Sequence, residues 1–232
     1  DLKDVTSYTD TGGNNTSLYQ IVTKVDGVAV DTTAEVTPWS DHFYQLHLDR
    51  PTGSGCTYSP NDCSVGDVDG DGCDEIVWGS AALDHDGKLL YATGFGHGDA
   101  MHLADHNPDR PGLEVFQVHE GSPYGWDLHD AATGEIIFSA TGSKDTGRGM
   151  AGQFSATHRG SFFSCSVDGQ QRSAVTGKVV SSGKTSMNFR IYWDGDLCSE
   201  SLDGNGTEGA ADIHKFNGGV IYQASGTKMC NW

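Results

Sequence analysis

Between Ser64 and Glu75 the chain reads SVGDVDGDGCDE, with aspartates at the alternate positions Asp67, Asp69 and Asp71 just ahead of Gly72. Carboxylate oxygens at that spacing can wrap a hard divalent cation such as Ca2+, the glycine permits a tight turn, and Glu75 can close the loop from its far side. The loop is not an EF-hand, whose closing glutamate would have to stand where Trp78 does. A looser copy comes at Asp105, Asn107 and Asp109, followed by Gly112 and Glu114. Two Ca2+ sites are therefore expected, Asp67, Asp69, Asp71 and Glu75 holding one and Asp105, Asn107, Asp109 and Glu114 the other. The plain structural alternative for either is a solvated acidic turn.

A second concentration of chemistry lies in the histidines, of which His97, His102, His106, His119 and His129 make five of the chain's ten. Neutral imidazole can take a proton near working pH or serve as a ligand. His102 and His106 have the spacing of a zinc-binding helix, but no HExxH is present and Pro108 and Gly112 oppose a helix there. Structural roles account for most such histidines. His97, flanked by glycines, leaves a ligand room to approach.

The elements that hold these residues read as β throughout. Thirty-two glycines, many in Asp-Gly, Asn-Gly and Thr-Gly pairs, punctuate the chain at short intervals with no long helical periodicity between them. Residues 17–36 predict two strands joined by a hairpin turn at Asp26-Gly27, and Trp39 to Leu48 a further strand running into a Pro/Gly/Ser-rich linker. From about residue 61 acidic loops alternate with the apolar runs EIVWG, GLEVFQVH, EIIFSA, SFFSCSV, NFRIYWDG and GGVIYQA. Short strands so spaced suggest a sandwich or propeller blades, and the expected division is a partial N-terminal β domain over 1–58 and a blade-like region over 59–232.

Lys and Arg number 14 against 32 Asp and Glu, a formal charge of −18. That field opposes a nucleic-acid partner, and no run of 18 apolar residues offers a membrane span. Asp1 does not begin a signal peptide, so any export signal is expected to have been removed already. Six cysteines without a CxxC pair point to disulfides in an oxidising compartment, with Cys56 and Cys63 the nearest pair in sequence. Sequons beginning at Asn14, Asn15 and Asn205 agree with secretion.

YSPND, SVGDVDGDG, GHGDAMH, DRPGLEVFQVHE, LHDAATGE, GRGMAGQF and NFRIYWDGDL, taken in order, resemble the rhamnogalacturonan lyases of polysaccharide lyase family 11. The resemblance implies secreted, calcium-dependent enzymes with a small N-terminal β domain and an eight-bladed propeller, which cleave pectic rhamnogalacturonan I by β-elimination. It departs from the family pattern where YSPND-SVGDVDGDG of the first blade meets the DGCDEIVWG phrase of a later blade at a single DVDGDG. The implied fold is therefore a partial or reduced calcium-binding β-propeller.

β-Elimination removes the C5 proton of galacturonate, which becomes feasible once the adjacent carboxylate is neutralised, and Ca2+ suits that role. By resemblance His97 and His129 line the cleft as catalytic residues, holding cation or substrate or accepting the proton. Arg148 and Arg190 are candidates to bind the uronate carboxylate bidentately, with structural ion pairs as the alternative. Trp126, Tyr124 and Trp193 could stack on sugar faces or pack as core. The leading expectation is a secreted calcium-dependent lyase, whole or in part. Its rival is a non-catalytic extracellular scaffold, stiffened by calcium, that binds glycan or self-associates through exposed blade edges.

Overall fold

The computed structural model describes residues 9–38, 63–167, 169–182, 188–205, 210–215 and 219–224. The chain divides into two compact units, Asp1–His47 and Leu48–Trp232. The strand expected over Trp39 to Leu48, the linker after it and the expected division at 58/59 lie outside the described residues. No helix among the described residues is long and apolar enough to cross a membrane.

In the first unit, strands β1 (Val22–Val25) and β2 (Val28–Thr32) form the expected antiparallel hairpin. Its turn residues Asp26 and Gly27 have φ of 50° and 80°. Both central positions of a tight hairpin turn require such left-handed backbone, which aspartate tolerates and glycine adopts freely.

The described residues of the second unit form four successive four-stranded antiparallel meanders. The first comprises β3 (Ser64–Gly66), β4 (Glu75–Val77), β5 (Ala81–Leu83) and β6 (Leu89–Ala92); the second β7 (Met101–Ala104), β8 (Glu114–His119), β9 (Gly125–Asp130) and β10 (Ile136–Thr141). The third runs from β11 (Gly149–Gly152) through β12 (Phe162–Cys165) and β13 (Gln171–Ser173) to β14 (Val179–Ser181). The fourth comprises β15 (Phe189–Ile191), β16 (Glu200–Asn205), β17 (Ala210–His214) and β18 (Val220–Gln223). Strand β11 lies against β7 and β8 of the second meander and against β15 of the fourth. The fold is all-β among the described residues, and each of the six apolar runs picked out in the sequence carries a strand.

Cores form between neighbouring meanders. Phe116, Val118, Trp126 and Leu128 of the second pack on Ala151, Phe163, Cys165 and Ala174 of the third. Val115 and Ala131 instead join Val68, Val77, Ala82 and Tyr91 of the first. The strand period of two explains this split: on β8 and β9 alternate residues point to opposite faces, and both faces are covered. Phe116, Val118, Trp126 and Leu128 face the third meander. The intervening Gln117, His119, Asp127 and His129 occupy the other face, so a polar layer lies between the first and second meanders.

Phe163 is the keystone of the larger cluster, with ring centroids 5.0 Å from Phe116 and 4.8 Å from Trp126. Phe163→Ala is expected to cost about 3–5 kcal/mol, the range for truncating a buried aromatic ring. Urea unfolding checks it, and a loss below about 1 kcal/mol would show that the second and third meanders do not share this core.

Candidate functional site

Loop 67–74, between β3 and β4, gathers the first acidic set. Carboxylate oxygens of Asp67, Asp69 and Asp71 lie within 4.8 Å of one another. Asp67 accepts the amides of Gly70 and Gly72 at 2.8 and 3.2 Å, and Asp71 that of Cys73 at 2.8 Å, so the turn curls around its own carboxylates. Glu75 is completely buried; its Oε2 accepts the Val68 amide at 2.8 Å while its Oε1 has no hydrogen-bond partner. A buried carboxylate oxygen without a donor is costly unless a cation faces it. The His85 ring stands over this set, Nδ1 3.3 Å from Asp71, 2.7 Å from Asp84 and 3.9 Å from Glu75.

Loop 105–113, between β7 and β8, is one residue longer, and the structure treats its acidic set differently. Glu114 is buried and accepts the amides of His106 and Asn107 at 2.9 and 2.8 Å. Burial pushes its carboxyl up and those two amides pull it back only in part. Here arginines are at hand. Arg159 holds Asp109 at 2.6 Å, while Arg110 reaches Asp130 at 3.3 Å and stands 3.9 Å from Glu114. Asp105 is exposed beside them.

A third acidic group lies close to an imidazole. The Nε2 of His97 lies 3.5 Å from Asp99 and 3.2 Å from Glu120, all three side chains reaching solvent. Asp99 first, then burial and Asp145, push the Glu120 carboxyl up, which records anions gathered faster than cations. Glycine makes the cluster possible. A Cβ at Gly98 would overlap the Val118 carbonyl oxygen, and one at Gly96 would sit 3.1 Å from the Gly121 backbone, so only glycines let segment 96–98 lie on the end of β8. The His97 carbonyl then accepts the amides of Glu120 and Gly121 at 2.7 and 2.9 Å, which ties His97 to Glu120 through the backbone.

Beneath this cluster lies the polar layer. His129 Nδ1 is 2.5 Å and His119 Nε2 2.7 Å from the Asp127 carboxylate, and Tyr91 Oη lies 3.2 Å from His129 Nε2. Burial pushes Asp127 up, but its contacts with His119 and His129 outweigh that and hold it below the usual carboxylate range. His119 lies under the stacked Phe95 ring, its Nδ1 3.4 Å from the Gly96 carbonyl next to His97.

The expected cleft residues separate accordingly. His97 is at the surface. His129 is not: it is completely buried with both ring nitrogens engaged, so its expected cleft position is corrected to an interior one. Trp126, 5% exposed, packs on Phe163 beneath the Arg172 guanidinium, which removes its face from any sugar. Arg190 is half-buried and donates to the Ala151 carbonyl at 3.3 Å, which ties β15 to β11. Arg148 is exposed, Tyr124 half-buried, and Trp193 exposed against Tyr222 at 5.4 Å. Sequence reasoning missed Asp99 and Glu120, which stand within the phrases GHGDAMH and DRPGLEVFQVHE, and the set Asp194, Asp196 and Glu200 in DGDLCSE. The nearest signal was GHGD itself, whose His-x-Asp spacing offers two ligands at once.

His102 and His106 do not form a metal pair. Burial pushes His102 down to about 3 and His106 to about 4; a hydrogen bond to the Gly149 backbone opposes the first shift only in part, and His106 sets Nε2 3.1 Å from the His102 carbonyl. The expected Cys56–Cys63 pair lies outside the described residues because Cys56 does. No disulfide forms among the described residues: Cys63 and Cys73 are exposed and Cys198 is a buried thiol.

An all-β protein whose surface offers imidazole and carboxylate ligands to a cation is thus defined by geometry alone. Residues 49–230 match the family model for the C-terminal domain of rhamnogalacturonan lyase family 11, and the chain belongs to that family. It is 51% identical over 144 residues to the rhamnogalacturonan endolyase YesW of Bacillus subtilis strain 168, covering 61% of this chain and 23% of YesW. The exolyase YesX of the same organism is 48% identical over 165 residues, covering 66% of this chain and 27% of YesX. The chain thus spans about a quarter of the length of these curated relatives. Its fold is similar to the crystal structure of YesX, with a TM-score of 0.67, 45% identity and coverage of 73% of this chain and 31% of that one. A Bacillus licheniformis rhamnogalacturonan lyase gives 0.64 and 46%, over 73% and 29%.

The depressed His102 value has a consequence for acid stability. The unfolded histidine protonates near 6.5 and the folded one refuses the proton until about 3. Its stabilisation is therefore complete above about 6.5 and is lost progressively as the pH falls below that. Between pH 6.5 and 5, stability of the parent is expected to fall more steeply than that of His102→Gln, by about 1 kcal/mol or less per pH unit. Identical slopes in urea unfolding would show that His102 is not kept neutral.

Proposed function

We propose that this chain is part of a secreted, calcium-dependent lyase that cleaves the rhamnogalacturonan I backbone by β-elimination, its four meanders being successive blades of a β-propeller. The observation that carries the reading is the open His97, Asp99 and Glu120 cluster, on a segment matched by the lyase family model. One imidazole and two carboxylates, with Asp145 adding charge nearby, suit a Ca2+ ion. Bound there, the ion would neutralise the uronate carboxylate and so acidify the adjacent C5 proton.

The chain's own residues hold this site in shape. Gly96 and Gly98 allow the close approach, the His97 carbonyl holds Glu120, and the His119–Asp127–His129 layer supports the backbone of segment 96–97 from below. Arg148, exposed just before β11, is the free guanidinium best suited to a uronate carboxylate. Tyr124 can add apolar contact. His129 and Arg190 act as positioning groups, through Asp127 and through Ala151 respectively.

Calcium also fits loop 67–74, where Asp67, Asp69 and Asp71 lie close together, while Glu75, with one unmatched oxygen, groups with Asp84 and His85. Asp105, Asn107, Asp109 and Glu114 form a weaker second set, because Arg159 and Arg110 already supply it with positive charge. The burial of His129 and Trp126 favours the second reading, a calcium-stiffened scaffold for glycan that associates through the exposed Val220, Ile221 and Tyr222 of edge strand β18.

Incubation with rhamnogalacturonan I and Ca2+ should release unsaturated uronate, followed by its ultraviolet absorbance. His97→Ala and Glu120→Gln are expected to lower the rate by at least the roughly 10–100-fold that a disturbed metal site costs. His129→Ala should lower stability yet leave the folded fraction far more active than those two. Full activity in His97→Ala would remove the cluster from the mechanism, and an inactive parent that still binds Ca2+ would favour the scaffold.

Chelation tests the loop separately. EDTA should lower the melting temperature of the parent by several degrees, about 1–2 kcal/mol in a domain of this size. Glu75→Gln should abolish most of that difference. Equal melting temperatures in EDTA and excess Ca2+ would contradict calcium at Glu75.

A further inference from the structure

Three loops end on a buried glutamate that opens the second strand of a meander: Glu75 on β4, Glu114 on β8 and Glu200 on β16. In each, one carboxylate oxygen accepts the amide of the residue seven positions earlier, at 2.8 Å from Val68, Asn107 and Trp193. The three loops are therefore copies of one device. They differ in what faces the glutamate's other oxygen.

Across the ladder, Glu114 pairs with Asp130. One step beyond Ile76–Leu83 and Ser201–His214, the same place falls to Asp84 and to Lys215. The first loop thus adds another carboxylate to Asp67, Asp69, Asp71 and Glu75, and the basic group facing them is the His85 imidazole. In the fourth meander an ammonium stands there instead. Lys215 Nζ lies 2.5 Å from Asp194, 2.9 Å from Asp196 and 2.7 Å from Glu200 Oε1, and those three ligand oxygens lie within 4.8 Å of one another. The same compactness groups Asp67, Asp69 and Asp71.

We propose that Lys215 is a built-in cation: loop 192–199 is an acidic ion-binding loop whose ion is the chain's own ammonium, so that a divalent cation able to enter loop 67–74 is shut out of it. The bonds to Asp194, Glu200 and Asp196 raise the lysine's pKa, so the ammonium stays charged wherever the carboxylates are ionised. Deleting the ammonium leaves the carboxylates of Asp194, Asp196 and Glu200 converging with no cation between them, a group as compact as Asp67, Asp69 and Asp71. The comparison rests on the calcium reading of loop 67–74, but the test of Lys215 does not.

Lys215→Met keeps the apolar stem and removes the charge. Equilibrium dialysis with Ca2+ should give one more bound ion per chain in the folded variant than in the parent. Adding Asp194→Asn and Asp196→Asn to Lys215→Met should abolish that gain. With Tb3+ as probe, Lys215→Met should gain tryptophan-sensitised luminescence that Trp193→Phe removes, since Trp193 adjoins Asp194. Lys215→Arg, which keeps the charge, should gain nothing. A folded Lys215→Met with unchanged stoichiometry overturns the proposal. If Lys215→Met folds only with added Ca2+, the ion has replaced the ammonium and the proposal stands. If it does not fold at all, the parent carrying Asp194→Asn and Asp196→Asn decides: unchanged Ca2+ stoichiometry supports the built-in cation, and loss of an ion overturns it. Asp69→Asn in the parent reports on the first loop alone, so failure there is distinguishable.

Discussion

A carboxylate buried at the start of a second strand governs this molecule. Glu75, Glu114 and Glu200 are each enclosed, and an enclosed charge is tolerated only when its oxygens are matched. One oxygen is matched by a backbone amide seven residues back, which folds the intervening loop into a closed turn and fixes where its aspartates point. The other must be matched by positive charge. His85 stands 3.9 Å from that oxygen in the first meander and Arg110 3.9 Å from it in the second, neither bonding it, whereas Lys215 bonds it in the fourth. The loops of the first and fourth meanders share their length and their buried glutamate, and they differ at the position just past the third strand, Asp84 in the first and Lys215 in the fourth.

The same economy of charge shapes the surface cluster. Strands β8 and β9 are covered on both faces, and the face toward the first meander carries Gln117, His119, Asp127 and His129. Asp127 is shared between the two imidazoles, His129 reaches Tyr91, and Ser80 donates to Gln117 at 2.8 Å. This layer binds the first meander to the second through polar contacts and holds the backbone on which His97 stands. The surface cluster of His97, Asp99 and Glu120 thus rests on a buried histidine pair.

Much of the scaffold was legible in the sequence because local physics sets it. Asp26-Gly27 marked its turn since few other pairs accept left-handed backbone at both positions, and the apolar runs marked strands since they are rich in β-branched and aromatic residues between glycine-bearing turns. The aspartate spacing at 67, 69 and 71 likewise announced a curled loop. What could not be read was which way a polar residue on a doubly covered strand points. His129 and Trp126 are near neighbours in sequence and fall on opposite faces, both interior, so a surface role for either was indistinguishable from burial until the register was known. Asp99 and Glu120 escaped because the contact joining them runs through glycine backbone, and Lys215 escaped because its partners meet it only across the ladder.

The buried-glutamate rule is tested most directly by anomalous scattering from crystals grown in Ca2+. A calcium peak beside Glu75 and another among His97, Asp99 and Glu120, with the Lys215 ammonium and no calcium beside Glu200, is the expected pattern. A calcium peak beside Glu200 with Lys215 turned to solvent, or a Glu75 carboxylate with neither cation nor donor at its second oxygen, would contradict it.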